Sequence, residues 1–294
     1  MRFFRASAWA SSLTAWVLIG AGLAPGHAGG TPEFRVDPST VTAGRTLAVL
    51  CRTGKPLKEG RVLVGAAEAH FYKTGWKRWR ALVGIPATEP AGPHTAILTG
   101  TLGSEEFRSE IDFFVAEGSY PVSLIQLAPA KDALFTNGSV DRDAERLASF
   151  FSEPGSPKKL WDGAFLWPST GVVSSVFGAR RSYGGRPATG SHSGVDLANA
   201  AGTPVLCPAR GRVVLAEWLE SFGNVVMLDH GQGVYSYYLH MQSSAVSVGQ
   251  TVNRDRCLGR MGQEGIATGP HVHWSVAVAG VRVDPMEWVE RSVP

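Results

Sequence analysis

Five of the eight histidines in the 294-residue chain fall between His192 and Trp274, within HSGVD (192–196), YLH (238–240), HVH (271–273) and a lone His230. Imidazole and carboxylate are donor types that a zinc ion accepts, and nothing comparable occurs elsewhere in the sequence. On an extended HVH, positions i and i+2 point to one face, so His271 and His273 project together with Val272 opposite. They can both bind a metal, or one can bind while its neighbour handles protons. The bland alternative is a chance H-x-H on a solvated strand. His192 and Asp196 also share a strand face, but full extension would hold their Cα atoms about 13 Å apart. Zinc holds its ligands at about 2.0–2.2 Å, so the segment must bend if both bind one ion. Gly194 between them permits unusual backbone angles and leaves room at the metal. One Asp and one His from the first motif and one His from the last make three protein ligands, with a fourth position open as in a catalytic zinc site. The two candidates left over would then be the acid–base partners.

These side chains need rigid supports, and the composition points to strands. Gly 35 and Pro 18 are numerous, and long amphipathic helical patterns are scarce. From Phe165 onward, strands are expected at Pro204–Cys207, Gly211–Glu217, Asn224–Asp229, Val234–Tyr238 and His271–Val278, forming an antiparallel sheet. Between Thr31 and Tyr120, short alternating runs at Thr46–Cys51, Arg61–Val64, Trp79–Val83, His94–Leu98 and Glu110–Val115 suggest an immunoglobulin-like β-sandwich. Within that segment the His70–Arg80 stretch mixes aromatics and cations, and reads as a hairpin burying one aromatic face. Residues 121–164 read as a linker with one short helix over Asp141–Phe151, where Ala144, Leu147, Ala148 and Phe151 have helical spacing. The expected organisation is therefore a signal segment at 1–28, a sandwich at 29–120, the linker, and a metal-site domain at 165–294.

The amino terminus carries Arg2 and Arg5, an apolar run from Ala8 to Leu23 and a small-residue site near Ala28, the three parts of a secretory signal peptide. Export to the periplasm or the medium is expected, with no stable membrane insertion after cleavage. Without residues 1–28 the chain has 26 basic and 25 acidic residues. This balance gives no sign of a nucleic-acid partner. Cys51, Cys207 and Cys257 are odd in number; a Cys207–Cys257 bridge and three free thiols are both open.

The order H-x-x-x-D, Y-x-H, H-x-H resembles the lysostaphin/LytM-type zinc metalloendopeptidases. The supporting text is HSGVDLANAAGTPVLCPARGRVV, FGNVVMLDHGQGVYSYYLH, VSVGQTV and TGPHVHWSV, and the resemblance covers about residues 170–285. It implies a mainly β, duplicated-hybrid-motif catalytic domain with a metal site in an open groove. It further implies one Zn²⁺ held by His192, Asp196 and His273, with His240 and His271 as catalytic non-ligand histidines. The implied activity is hydrolysis of peptide bonds in bacterial peptidoglycan, in the stem peptide or cross-bridge, by a protein expected to be monomeric. The competing reading is a non-catalytic peptidoglycan-binding or hydrolase-activating module. Many relatives carry an acid shortly after H-x-H, where this chain has Trp274-Ser275. The loop FGARRSYGG would border the groove, with Arg180, Arg181 and Tyr183 able to contact substrate or simply face solvent. His230, in an HGxG turn, reads as structural.

Overall fold

Alternation of buried and exposed side chains builds the amino-terminal half from β1 (Glu33–Asp37), β2 (Thr40–Thr42), β3 (Thr46–Arg52), β4 (Leu57–Val64), β5 (Ala67–His70), β6 (Tyr72–Gly75), β7 (Arg78–Gly84), β8 (Gly92–Leu102) and β9 (Glu105–Ala116). The structure is a computed structural model and describes residues 31–293 except 136, 152–154, 184, 186, 187 and 189. The signal-peptide reading of residues 1–28 lies outside the described residues. Two sheets form, ordered β1-β3-β7-β6 and β2-β9-β8-β4-β5. Leu47, Val49 and Val83 of the first meet Val62, Leu98 and Phe113 of the second in one apolar core. In the His70–Arg80 stretch Phe71 is buried, while Trp76 at the turn is 80% exposed. Arg80 is buried as well, because it leaves the hairpin to bond Gln232 of the other half.

The remainder comprises β10 (Val122–Ile125), α1 (Pro129–Asp132), α2 (Ser139–Ala148), β11 (Val172–Ser175), β12 (Arg180–Tyr183), β13 (Gly190–Ser191), β14 (Val195–Ala198), β15 (Pro204–Leu206) and β16 (Gly211–Leu219). It continues through β17 (Gly223–Gly231), β18 (Val234–Ser244), β19 (Thr251–Val252), β20 (Cys257–Met261), β21 (His271–Val278), β22 (Val281–Val283) and α3 (Pro285–Glu290). The main sheet runs β11-β14-β21-β18-β17-β16-β19, with β15, β20 and β22 attached off this path. Period-two alternation sends Tyr238, Val272, Trp274 and Val276 into the principal core. It sends Tyr237, Leu239 and Ala277 to the opposite face, where Leu147 of α2 covers them.

The linker helix forms close to its expected span, but its buried face differs. Ser139, Asp143 and Leu147 are buried, not Ala144 and Ala148. The cause is polar: Asp143 Oδ2 accepts from the Ser221 backbone N–H at 2.6 Å, and the Ser139 and Ser221 hydroxyls bond at 2.8 Å. The linker also adds a strand to the carboxy-terminal half, since β10 pairs in parallel with β12. Cys51, Cys207 and Cys257 are all free, so the Cys207–Cys257 bridge is not formed. Among the described residues no helix is long and apolar enough to cross a membrane.

Several polar contacts dock the two halves. The Tyr120 hydroxyl donates to Ala43 O at 2.5 Å, and its ring packs edge-on against Phe177 at 6.0 Å. Gly178, at φ +76°, leaves the space this ring fills; a Cβ there would lie 2.7 Å from Tyr120 Cγ. Asp284 N donates to Gly44 O at 2.7 Å, and Thr46 N to Glu287 Oε2 at 2.9 Å. Glu287 is 1% exposed and is also held by Arg291. Glu287→Ala strands the Thr46 donor between the halves, a loss of about 1–3 kcal/mol for a buried unsatisfied group. Urea denaturation is expected to show a midpoint lower by on the order of 1 M, taking the usual slope. An unchanged midpoint would remove Glu287 from the docking contacts that matter.

Candidate metal centre

The register of the sheet assembles the site. β14 and β21 place Asp196 opposite His273, and β18 places Leu239 opposite the same histidine from the other side. Directly opposed residues share a face, so Asp196 and His273 meet by pairing alone. His192 arrives from the turn between β13 and β14. The expected bend is present, and brings His192 Nε2 to 3.0 Å from Asp196 Oδ1. Gly194 serves this bend by one of the two means expected of it, room rather than an unusual backbone angle. Its φ is not in the left-handed region, and what it supplies is space: a Cβ there would lie 2.9 Å from His273 Nε2.

The three donor atoms form a tight triangle. Asp196 Oδ1 lies 2.8 Å from His273 Nδ1, and the two histidine nitrogens, His192 Nε2 and His273 Nδ1, are 2.9 Å apart. Ligands about 2.0–2.1 Å from a tetrahedral zinc sit about 3.3 Å from one another, close to this spacing. The surrounding hydrogen bonds assign the protons. His192 Nδ1–H donates to Val176 O at 2.8 Å, which leaves a lone pair on Nε2. The Ser275 hydroxyl donates to Ser193 O at 2.9 Å, and so accepts from His273 Nε2–H at 2.8 Å. That leaves the lone pair of His273 on Nδ1. Burial alone would raise the Asp196 carboxyl, but its contacts with His192 and His273 hold it well below the usual carboxylate range. Burial pushes His273 down to about 4, which keeps it neutral. Two buried imidazole nitrogens and a carboxylate oxygen thus converge on one point, a donor set that fits a cation.

Arg181, on β12, sets its guanidinium against Asp196 Oδ2 and donates to Ser175 Oγ at 3.1 Å. Of the three loop residues considered as substrate contacts, it is thereby engaged by the metal-site carboxylate. Tyr183 lines the groove, and Arg180 is exposed.

The other two histidines stand beside the triangle. His240 has φ +65°, so β18 turns its side chain into the site. Its Nδ1–H donates to Glu264 O at 2.7 Å, and burial, reinforced by His271 and His273, pushes its pKa well below the ordinary value. His271 Nδ1–H donates to Gly269 O at 2.8 Å, and its Nε2 lies 3.8 Å from Asp196 Oδ1. The two rings are 4.8 Å apart. All five expected side chains are therefore brought together. His230 lies elsewhere, wholly buried, bonded to Arg210 O at 2.9 Å and Ser236 Oγ at 2.7 Å.

Sequence reading missed Ser275 as the partner of His273. The signal was present, because position 275 follows His273 by two and shares its face. The linker roofs one arm of the groove: Phe135, Val140 and Leu147 line a cavity of about 500 Å³ together with His192, His240 and His273. This cover is anchored on both rims, by Phe135 packing on Tyr183 at 4.7 Å and by Lys131 Nζ donating to Gln263 O and Ala267 O at 2.8 and 2.7 Å.

Residues 190–285 match the sequence profile of Peptidase family M23. A solved structure described as a putative peptidase M23 from Pseudomonas aeruginosa aligns with a TM-score of 0.62 at 25% identity, covering 84% of this chain and 94% of that one. An "Uncharacterized metalloprotease" of Haemophilus influenzae is 39% identical over 118 residues, which is 39% of this chain and 24% of the relative. The peptidoglycan DD-endopeptidase ShyA of Vibrio cholerae is 36% identical over 115 residues, 39% of this chain and 27% of the relative. The matched segment spans about a quarter of the length of these two relatives. With the family profile laid over the segment that holds all five site residues, the resemblance read from the histidine motifs stands, and residues 190–285 are a peptidase family M23 domain.

Proposed function

We propose that the protein is a zinc-dependent endopeptidase that hydrolyses peptide bonds of bacterial peptidoglycan, in a stem peptide or a cross-bridge. The observation that supports this most is the division of the five side chains. Three lone-pair atoms, on His192, Asp196 and His273, converge on one point, while His240 and His271 present a second pair of nitrogens next to it. A non-catalytic wall-binding module would have no use for that second pair. The similarity to ShyA, named a peptidoglycan DD-endopeptidase, supports the substrate class. Export to the periplasm or the medium, as the amino-terminal pattern suggests, would place the protein with that substrate. The amino-terminal half is read as an immunoglobulin-like sandwich. Taking β1, β3, β4, β6, β7, β8 and β9 as strands A to G, the two sheets contain the A-B-E-D and C-F-G sets.

Zinc, when bound by His192, Asp196 and His273, supplies Lewis acidity and lowers the pKa of water at the site. The chain's own residues do the rest. Val176 O and Ser275 Oγ hold the imidazoles of His192 and His273 in the tautomers that bind metal. Glu264 O and Gly269 O hold His240 and His271 with Nε2 free. His240 and His271 Nε2 can therefore take the proton released as water adds to the scissile carbonyl, and return it to the departing amine. The products are a carboxylate and a new amino terminus. Arg181 pairs with Asp196 Oδ2, which leaves Oδ1 turned toward the ligand point.

Purified peptidoglycan incubated with zinc-loaded protein should release new amino termini, with the release abolished by chelation and restored by zinc. A metal-loaded protein that releases none would sink the enzymatic reading. His192→Ala and Asp196→Ala should lose both zinc and turnover. His240→Ala and His271→Ala should retain stoichiometric zinc while turnover falls by about 10²–10⁴; zinc loss in His271→Ala would reassign the HVH pair. Ser275→Ala frees the His273 tautomer and should weaken zinc binding by about 10–100-fold in a chelator competition. Wild-type affinity in that variant would show that the hydroxyl orients nothing.

A further inference from the structure

Beneath its roof the groove continues from the metal ligands along one face of β18, β21 and β22. The register lays out the floor: Leu239 is opposite His273, Tyr237 opposite Ser275, and Arg282 opposite Ala277. Two residues of strand separate His273 from the level of Tyr237, about 7 Å at the usual rise. Arg282 Nε donates to the Tyr237 hydroxyl at 2.8 Å, which turns the guanidinium back along the floor toward the ligands. Arg282 lines the same cavity as His192, His240 and His273. Its remaining nitrogens make no ion pair among the described residues, and they are not among the buried polar atoms left without a partner. They therefore open into the cavity. The other groove cation, Arg181, is already engaged by Asp196.

Charge in this arm is worth more than at an open surface. Phe135, Val140, Leu147 and Leu239 make its walls largely apolar, which lowers the local dielectric. A guanidinium offers paired donors that match a carboxylate, and its planar fork is already pre-organised for it. We propose that Arg282 is a specificity-determining residue, whose guanidinium receives a free carboxylate of the peptide substrate on the roofed side of the scissile bond. The carboxylate is either the peptide's own carboxy terminus or an acidic side chain close to the cut. The proposal rests on the peptidase reading above.

Three synthetic cell-wall stem peptides test it: one with every carboxylate free, one with only its carboxy terminus amidated, and one with only its side-chain carboxylates amidated. Binding is measured by calorimetry to zinc-loaded full-length His240→Ala protein, and kcat and KM are measured with the wild type. The free acid is expected to bind at least about tenfold more tightly than one of the amides, about 1.4 kcal/mol. The amide that loses affinity identifies which carboxylate is held, and in the wild type the loss falls on KM. Arg282→Gln should bring the ratio to about one, and Arg282→Lys should keep part of it. Zinc content should be unchanged in both. Equal affinity for all three peptides, or an Arg282→Gln variant that weakens all three alike, overturns the proposal. Cleavage of all three without discrimination would remove this role and leave the peptidase standing. Absence of both binding and cleavage would remove the peptidase reading and Arg282's role with it.

Discussion

The carboxy-terminal half is arranged around an electrostatic problem: two buried imidazole nitrogens and a carboxylate oxygen are forced to within about 3 Å of one another. Lone pairs so placed repel unless a cation lies between them. The site persists because each element of the problem is held from behind. Sheet register fixes Asp196 against His273, the turn before β14 delivers His192, and Gly194 leaves open the space that a Cβ would take beside Ser275 and His273. Val176 O and Ser275 Oγ then take up the protons that could otherwise relieve the repulsion. The geometry is thus one that metal binding would stabilise, and the surrounding hydrogen bonds prevent the histidines from escaping it by changing tautomer.

Ser275 is informative because a neutral hydroxyl stands where many relatives of this type carry an acid. A carboxylate behind His273 would add negative charge and raise the basicity of the imidazole. Here the hydroxyl accepts one proton and passes its own to Ser193 O, so orientation is achieved without that charge. Arg181 acts in the same direction from the other side, by drawing on Asp196 Oδ2. Both features make the ligand set less electron-rich than one backed by a carboxylate.

How much of this was legible in the sequence depended on whether the relation was local. HVH on one face, the bend between His192 and Asp196, and five of the ten strands of the metal-site sheet follow from period-two alternation and reach. Leu147 is buried as expected, but the burial of Ser139 and Asp143 in place of Ala144 and Ala148 did not follow, because it comes from hydrogen bonds to Ser221, 78 and 82 residues away. The roof over the groove was hidden for the same reason. Residues 129–151 are no more apolar than a linker, and their contacts with Gln263, Ala267 and Ser221 exist only once the sheet is folded. Gly194 was singled out correctly for its position, but a sequence does not distinguish a glycine needed for its backbone angle from one needed for space.

The linker connects these observations. β10 occupies the free edge of β12, and β12 carries Arg181 to Asp196. Tyr120, just before β10, bonds back to Ala43 and fills the space left by Gly178, two residues before β12 begins. The strand that reaches the metal-site carboxylate is therefore braced by the amino-terminal half on one side and by the linker on the other. Helix α2 is held less firmly. Of its three buried residues two are polar, and its Arg142–Glu220 and Arg146–Glu217 pairs are exposed, where such pairs contribute little. The rigid part of the linker is the part that sets ligand geometry. Val140 and Leu147 of the lightly held part line the cavity beside it, so the geometry of the site and the wall of its cavity are supported by different stretches of one connection.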